Sequence, residues 1–169
     1  YHFKREKFYI TGDSFEYLVF INFFVLLFAI WKISSGDLRL TILFGGLGFL
    51  FILYNWTRHA VFSTIRSKRV NRPRKIKFAQ ISKRLLPFHK WTGTLALIFI
   101  LIHFFLVFHR YGFSFQNSKM LSGTLALIIL VFMVSSGWIR FFKTTYPIRL
   151  IHLTLGFCLF ISVVIHLIF

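Results

Sequence analysis

Acidic side chains are nearly missing from this 169-residue sequence. There are four, Glu6, Asp13, Glu16 and Asp37, against 21 Lys and Arg. No carboxylate side chain follows residue 37. That excludes paired-carboxylate acid–base catalysis and carboxylate metal cages from the rest of the chain. The single cysteine, Cys158, excludes an intrachain disulfide, a thiolate zinc site and an iron–sulfur cluster. No glycine-rich dinucleotide motif is present. Charged residues are 15% of the chain, whereas a soluble domain is nearer a quarter charged. What is abundant is apolar: 57% hydrophobic residues, with 25 Phe. Histidine, present seven times, is the one plentiful side chain left that binds transition metals. The first residue is Tyr rather than Met, so a start upstream is expected.

A spanning helix needs about 20 mostly apolar residues. Five stretches qualify, at about 15–33, 40–60, 85–108, 121–138 and 148–169. Tyr17, Trp31, Trp56, Trp91, Trp138 and Tyr146 near their ends fit an interfacial aromatic belt. The expected fold is an all-α, multi-pass transmembrane helical bundle, one domain over 1–169. Basic residues set its orientation. Lys4, Arg5 and Lys7 precede the first span. Eleven lie between spans two and three: Arg58, Arg66, Lys68, Arg69, Arg72, Arg74, Lys75, Lys77, Lys83, Arg84 and Lys90. Arg140, Lys143 and Arg149 lie between spans four and five. Those 17 of the 21 basic residues fall on one side, which the positive-inside rule makes cytoplasmic, N-terminus included. The expected location is a cytoplasmic or plasma membrane. The stretch at about 61–84 reads as a basic cytoplasmic loop touching anionic lipid, with a short amphipathic piece before span three. A loop tethered to spans, without a binding fold, does not read as a nucleic-acid site.

The histidines carry the strongest pattern. His89 and His103 are 14 residues apart in span three, and His152 and His166 are 14 apart in span five. Fourteen residues fall about 40° short of four turns, so each pair shares one helix face with about 21 Å between its members. The two spans run parallel. His89 therefore lies at the depth of His152, and His103 at the depth of His166. Gly93 follows His89 by four and Gly156 follows His152 by four, one turn above, where a flat macrocycle needs a side chain absent. Between the levels the same face carries only Ala96, Ile100, Leu159 and Val163. This reads as two stacked b-type haems, each iron held by two imidazoles: His89 with His152, and His103 with His166. A lone intramembrane histidine more often hydrogen-bonds a neighbouring helix or relays protons. Four in two equal spacings are hard to explain that way. A zinc site gathers its ligands around one atom, which ligands about 21 Å apart do not allow.

Arg149, three before His152, ranks first as a partner for haem propionates, with Arg84 and Lys90 behind it and lipid headgroups as the competing reading. His2, His59 and His109 read as tail or helix-end residues. Span four echoes span three: Gly-Thr-Leu-Ala-Leu-Ile occurs at 93–98 and again at 123–128. In that register Lys119 stands for His89 and Met133 for His103. Span four reads as packing, its Gly123, Ser135, Ser136 and Gly137 admitting close helix contact.

Pro87-Phe88-His89-Lys90, the step to His103 and the pair His152 and His166 resemble the ferric reductase transmembrane domain superfamily. That group includes NADPH oxidases, yeast-type ferric reductases and the haem subunit of bacterial methionine sulfoxide reductase systems. The resemblance covers roughly residues 40–169. It implies a six-helix bundle passing electrons from a cytoplasmic donor, across two b haems, to an outside acceptor. A sixth span is not seen in this chain, and one would fit after residue 169. Flavin and nicotinamide modules of the larger members are not seen either, so FAD or FMN would sit on a partner or on a further domain.

The expected function is transmembrane electron transfer. A cytoplasmic flavoprotein or NAD(P)H would donate, and an extracytoplasmic acceptor such as ferric iron or oxygen would receive. Such a chain would be an oxidoreductase component needing a separate dehydrogenase. One alternative is a quinol-linked haem subunit serving an extracytoplasmic reductase. The other is a non-redox transporter with histidine ion or proton sites, which predicts a colourless protein.

Overall fold

The computed structural model describes residues 13–34, 40–66 and 70–169. His2, Lys4, Arg5, Lys7, Arg39, Lys68 and Arg69 lie outside the described residues, as do the side chains of Lys32, His59 and Arg66. Every regular element is a helix: α1 Asp13–Ser34, α2 Leu40–Arg66, α3 Arg72–Tyr111, α4 Ser118–Phe142 and α5 Tyr146–Ile168. Helices α2 to α5 are each long and apolar enough to cross a membrane, and α1 holds the shorter apolar stretch Phe20–Ala29. Large apolar side chains such as Phe105, Phe132 and Phe157 face outward, as a bundle solvated by hydrocarbon requires.

The five spans expected from sequence are therefore helices, but most of the basic segment is helical too rather than a loop. Residues 61–66 continue α2, and 72–84 are about the first third of α3. Hydropathy marks where a chain leaves the bilayer, not where a helix ends. No Gly or Pro interrupts 57–66. Pro73 sits in the first turn of α3, where its missing N–H has no intrahelical partner to lose. At 40 residues α3 is about 60 Å long, twice the hydrocarbon thickness, so its basic N-terminal part projects beyond the membrane. Pro87, inside α3 near that boundary, withholds a bond from the Lys83 carbonyl.

Short turns hold the rest. Gly112, at φ 68°, ends α3 and donates its N–H to Phe108. The Asn117 side chain then accepts from the Met120 N–H to start α4. Residues 143–145 join α4 to α5, with Pro147 in the first turn of α5. Each helix packs on the next in sequence. Ile52, Ala96, Ala126, Leu130 and Leu159 bring α2, α3, α4 and α5 together in one buried cluster. Ala29, Phe49 and Leu53 form a second, where Phe160, Val163 and Leu167 of α5 close against α1 and α2. Trp56 stacks on Phe160 with ring centroids 4.4 Å apart.

Candidate functional site

All four paired histidines point their Nδ1 atoms at an acceptor on the neighbouring helix. His103 Nδ1 lies 2.7 Å from the Thr41 carbonyl oxygen. His166 Nδ1 lies 3.0 Å from the Lys119 carbonyl and 3.3 Å from Ser122 Oγ. His152 Nδ1 lies 3.1 Å from the Met133 carbonyl and 2.9 Å from Ser136 Oγ. A carbonyl oxygen only accepts, so these three Nδ1 atoms carry the proton. Both serines donate their own hydrogen to the same carbonyls, Ser122 to Lys119 and Ser136 to Met133, and so accept from the rings.

His89 reaches the same state through a side chain. Its Nδ1 lies 2.6 Å from Asn55 Oδ1, which also accepts from Thr92 Oγ1 at 2.9 Å. Asn55 Nδ2 donates to the Phe51 carbonyl, and this fixes which end of the amide faces His89. All four rings thus turn Nδ1, rather than Nε2, to the acceptor that seats them. Imidazoles that ligate a metal through one nitrogen are oriented by this kind of bond from the other. Asn55→Leu is expected to destabilise the protein by about 1–3 kcal/mol, because His89 Nδ1 loses its acceptor, while Thr92 keeps the Phe88 carbonyl. An unchanged thermal midpoint would show that Asn55 does not hold the ring.

Glycines make three of these approaches possible. A Cβ at Gly45 would stand 2.9 Å from His103 Nδ1, one at Gly123 2.8 Å from His166 Cε1, and one at Gly137 3.2 Å from His152 Cε1. Each glycine follows the accepting carbonyl by four, on the same face. Thr41 and Asn55 are 14 apart on α2. The runs Lys119…Ser122-Gly123 and Met133…Ser136-Gly137 are 14 apart on α4. The spacing that pairs the histidines thus recurs on the helices that seat them. That recurrence was the available sequence signal for Asn55, Ser122 and Ser136. Span four does pack through its small residues, and what two of its glycines admit is an imidazole ring.

The structure sets His89 beside His152 and places His103 and His166 on one cavity. At the basic end of the bundle, His89 and His152 ring centroids are 6.2 Å apart and their planes 88° apart. Two metal–nitrogen bonds of about 2 Å, plus about 1 Å from each nitrogen to its ring centre, give about 6 Å. This separation suits one metal atom between two imidazoles. A Cβ at Gly93 would meet nothing within 4 Å, so open space adjoins this pair on α3. Gly156 is buried. At the far end His103 and His166 line one cavity of about 270 Å³, walled by apolar groups including Phe49, Ile100, Leu127 and Val163. Between the levels Ala96 is fully buried and Leu159 nearly so, with Ile100 and Val163 packed on them.

Among the described residues no three His, Cys, Asp or Glu come together. A metal held at either level would take two imidazoles from the described residues. A planar macrocycle that leaves two axial positions open fits that donor set.

The basic candidates are placed less uniformly. Lys90 Nζ lies over the rings of Trp138 at 4.5 Å and Phe141 at 4.0 Å, a cation–π site joining α3 to α4. Arg84 is exposed and about 140° around α3 from His89. Arg149 is exposed, within electrostatic reach of Arg140 on α4. His109 is exposed at the end of α3. No protein-family model, curated protein or solved structure matches the chain.

Proposed function

We propose that the chain is the membrane part of a di-haem b-type cytochrome, moving electrons outward from a donor on its basic, cytoplasmic side. The observation that carries this reading is the common seating of four histidines through Nδ1, with His89 beside His152 and with His103 and His166 on one cavity. His89 and His152 would hold one haem iron, and His103 and His166 the other. A haem at each level would supply a reversible one-electron carrier.

The chain's own residues do the rest. Thr41, Lys119 and Met133 carbonyls, with the Asn55 amide, aim the imidazoles and make them better donors. Two imidazoles from the chain would hold each iron, and the group so held would supply electron transfer. The apolar cluster of Ile52, Ala96, Ala126, Leu130 and Leu159 keeps water and other redox groups out of the space between the levels. The 17 basic residues on one side support an inward-facing donor site for a flavoprotein, with FAD or FMN on that partner. The acceptor would be ferric iron, oxygen or a redox protein on the other side. Such a chain is the membrane component of an oxidoreductase.

Purified protein is expected to show reducible b-type Soret and α bands, with two haems per chain. His103→Ala is expected to leave one. A colourless protein, or two haems surviving that substitution, would overturn the proposal.

A further inference from the structure

We propose that Lys119 is a binding residue of the far cavity, pairing its ammonium with a carboxylate of the group that His103 and His166 hold. This pairing rests on the proposed function, in which the group is a haem and its propionates supply the carboxylates. Lys119 is the second residue of α4. Its carbonyl oxygen lies 3.0 Å from His166 Nδ1, so the residue starts beside one of the two rings. Lys119 lines the same cavity as His103 and His166 and is exposed, which places it at the rim. Gly123, four residues on and on the same face, adds no side chain there. Among the described residues that line the cavity, Lys119 is the one lysine, arginine or carboxylate residue. The Thr124 hydroxyl is turned to the Met120 carbonyl, to which it donates at 2.8 Å.

Two features of the chain set themselves against a cation at this place. A helix begins with partial positive charge, so its first turn disfavours a cation and favours an anion. The first turn of α4 holds Lys119 and no acid. The basic residues also crowd the opposite side, with Lys32, Arg39, Arg110 and Lys119 standing outside the majority of 17. Arg110 lies over the Tyr111 ring at 5.6 Å and does not line the cavity. A carboxylate at the rim would meet the lysine and the positive end of α4 together, which turns both charges to advantage. An ammonium has three donors, so a contact elsewhere in the chain leaves donors for a carboxylate oxygen. The apolar wall suits the body of a macrocycle, and the rim suits its acid groups.

The test uses the full chain in neutral detergent, prepared without haem supply. His89→Ala empties the near level, and Lys119→Gln or Lys119→Arg is added to that background. Ferric protohaem and its dimethyl ester, whose carboxylates are capped, are titrated into each protein and followed by the Soret band. The ratio of haem affinity to ester affinity is expected to fall about tenfold in Lys119→Gln and to be kept in Lys119→Arg. A lysine that packs against the cavity or reaches for water would change both affinities alike. An unchanged ratio in Lys119→Gln, or one lost equally in Lys119→Arg, overturns the pairing. A wild-type chain that binds neither compound sinks the proposed function and the pairing with it, whereas binding with an unchanged ratio sinks the pairing alone. Should His89→Ala fail to fold, Gly93→Leu supplies the background with one level filled.

Discussion

With the proposed haem in limiting supply, replacing Gly123 by alanine is expected to empty the far level while leaving the near one filled. The new Cβ would stand 2.8 Å from His166 Cε1 and 3.1 Å from its Nδ1, closer than the ring can tolerate. The imidazole has to shift, and its bond to the Lys119 carbonyl at 3.0 Å goes with it. Overpacking of this kind costs about 1–3 kcal/mol, which corresponds to roughly tenfold or more in affinity at that level. Gly45→Ala should act in the same way through His103, whose Nδ1 lies 2.9 Å from the added carbon. The measurement is haem content with a redox titration. One haem and a single reduction step are expected, in place of two. Two haems with unchanged potentials in both variants would mean that these glycines do not seat the ligands.

The second large effect has the opposite sign in stability and in binding. A Cβ at Gly93 meets nothing within 4 Å. Gly93→Leu should therefore leave the haem-free chain as stable as the wild type, or more stable by about 1 kcal/mol, since Gly is the poorer helix former. The same side chain would fill the open space beside His89 and His152, and binding at that level should fall by tenfold or more. A variant that merely unfolds cannot produce this combination. Thermal unfolding without haem and a haem titration on the same sample measure both quantities. Unimpaired binding would show that the group lies elsewhere.

The two substitutions differ because two glycines that look alike in sequence do different work. Gly93 and Gly123 begin the same hexapeptide, Gly-Thr-Leu-Ala-Leu-Ile. On α3 the glycine borders open space, and on α4 it lies under an imidazole. Residue type and spacing place a glycine on a face, but not what the next helix sets against it. Lys90 shows the same limit. One residue from His89, it reads as a propionate partner, yet it lies over Trp138 and Phe141, which are about 50 residues away in the chain.

Local composition alone determined that the chain is a bundle of apolar helices, because a run of about 20 apolar residues has few other fates. Helical periodicity determined that His89 and His103 share a face, as do His152 and His166, because 14 residues nearly close four turns. The approach of one helix to another is a sum over many weak contacts between distant residues, and only the tertiary structure decided its outcome. It brought Asn55 to His89 and the backbone carbonyls of Thr41, Lys119 and Met133 to the other three rings. Backbone carbonyls occur at every position and leave no mark in the sequence. Which of them receives an imidazole depends on where a glycine lets the ring come close.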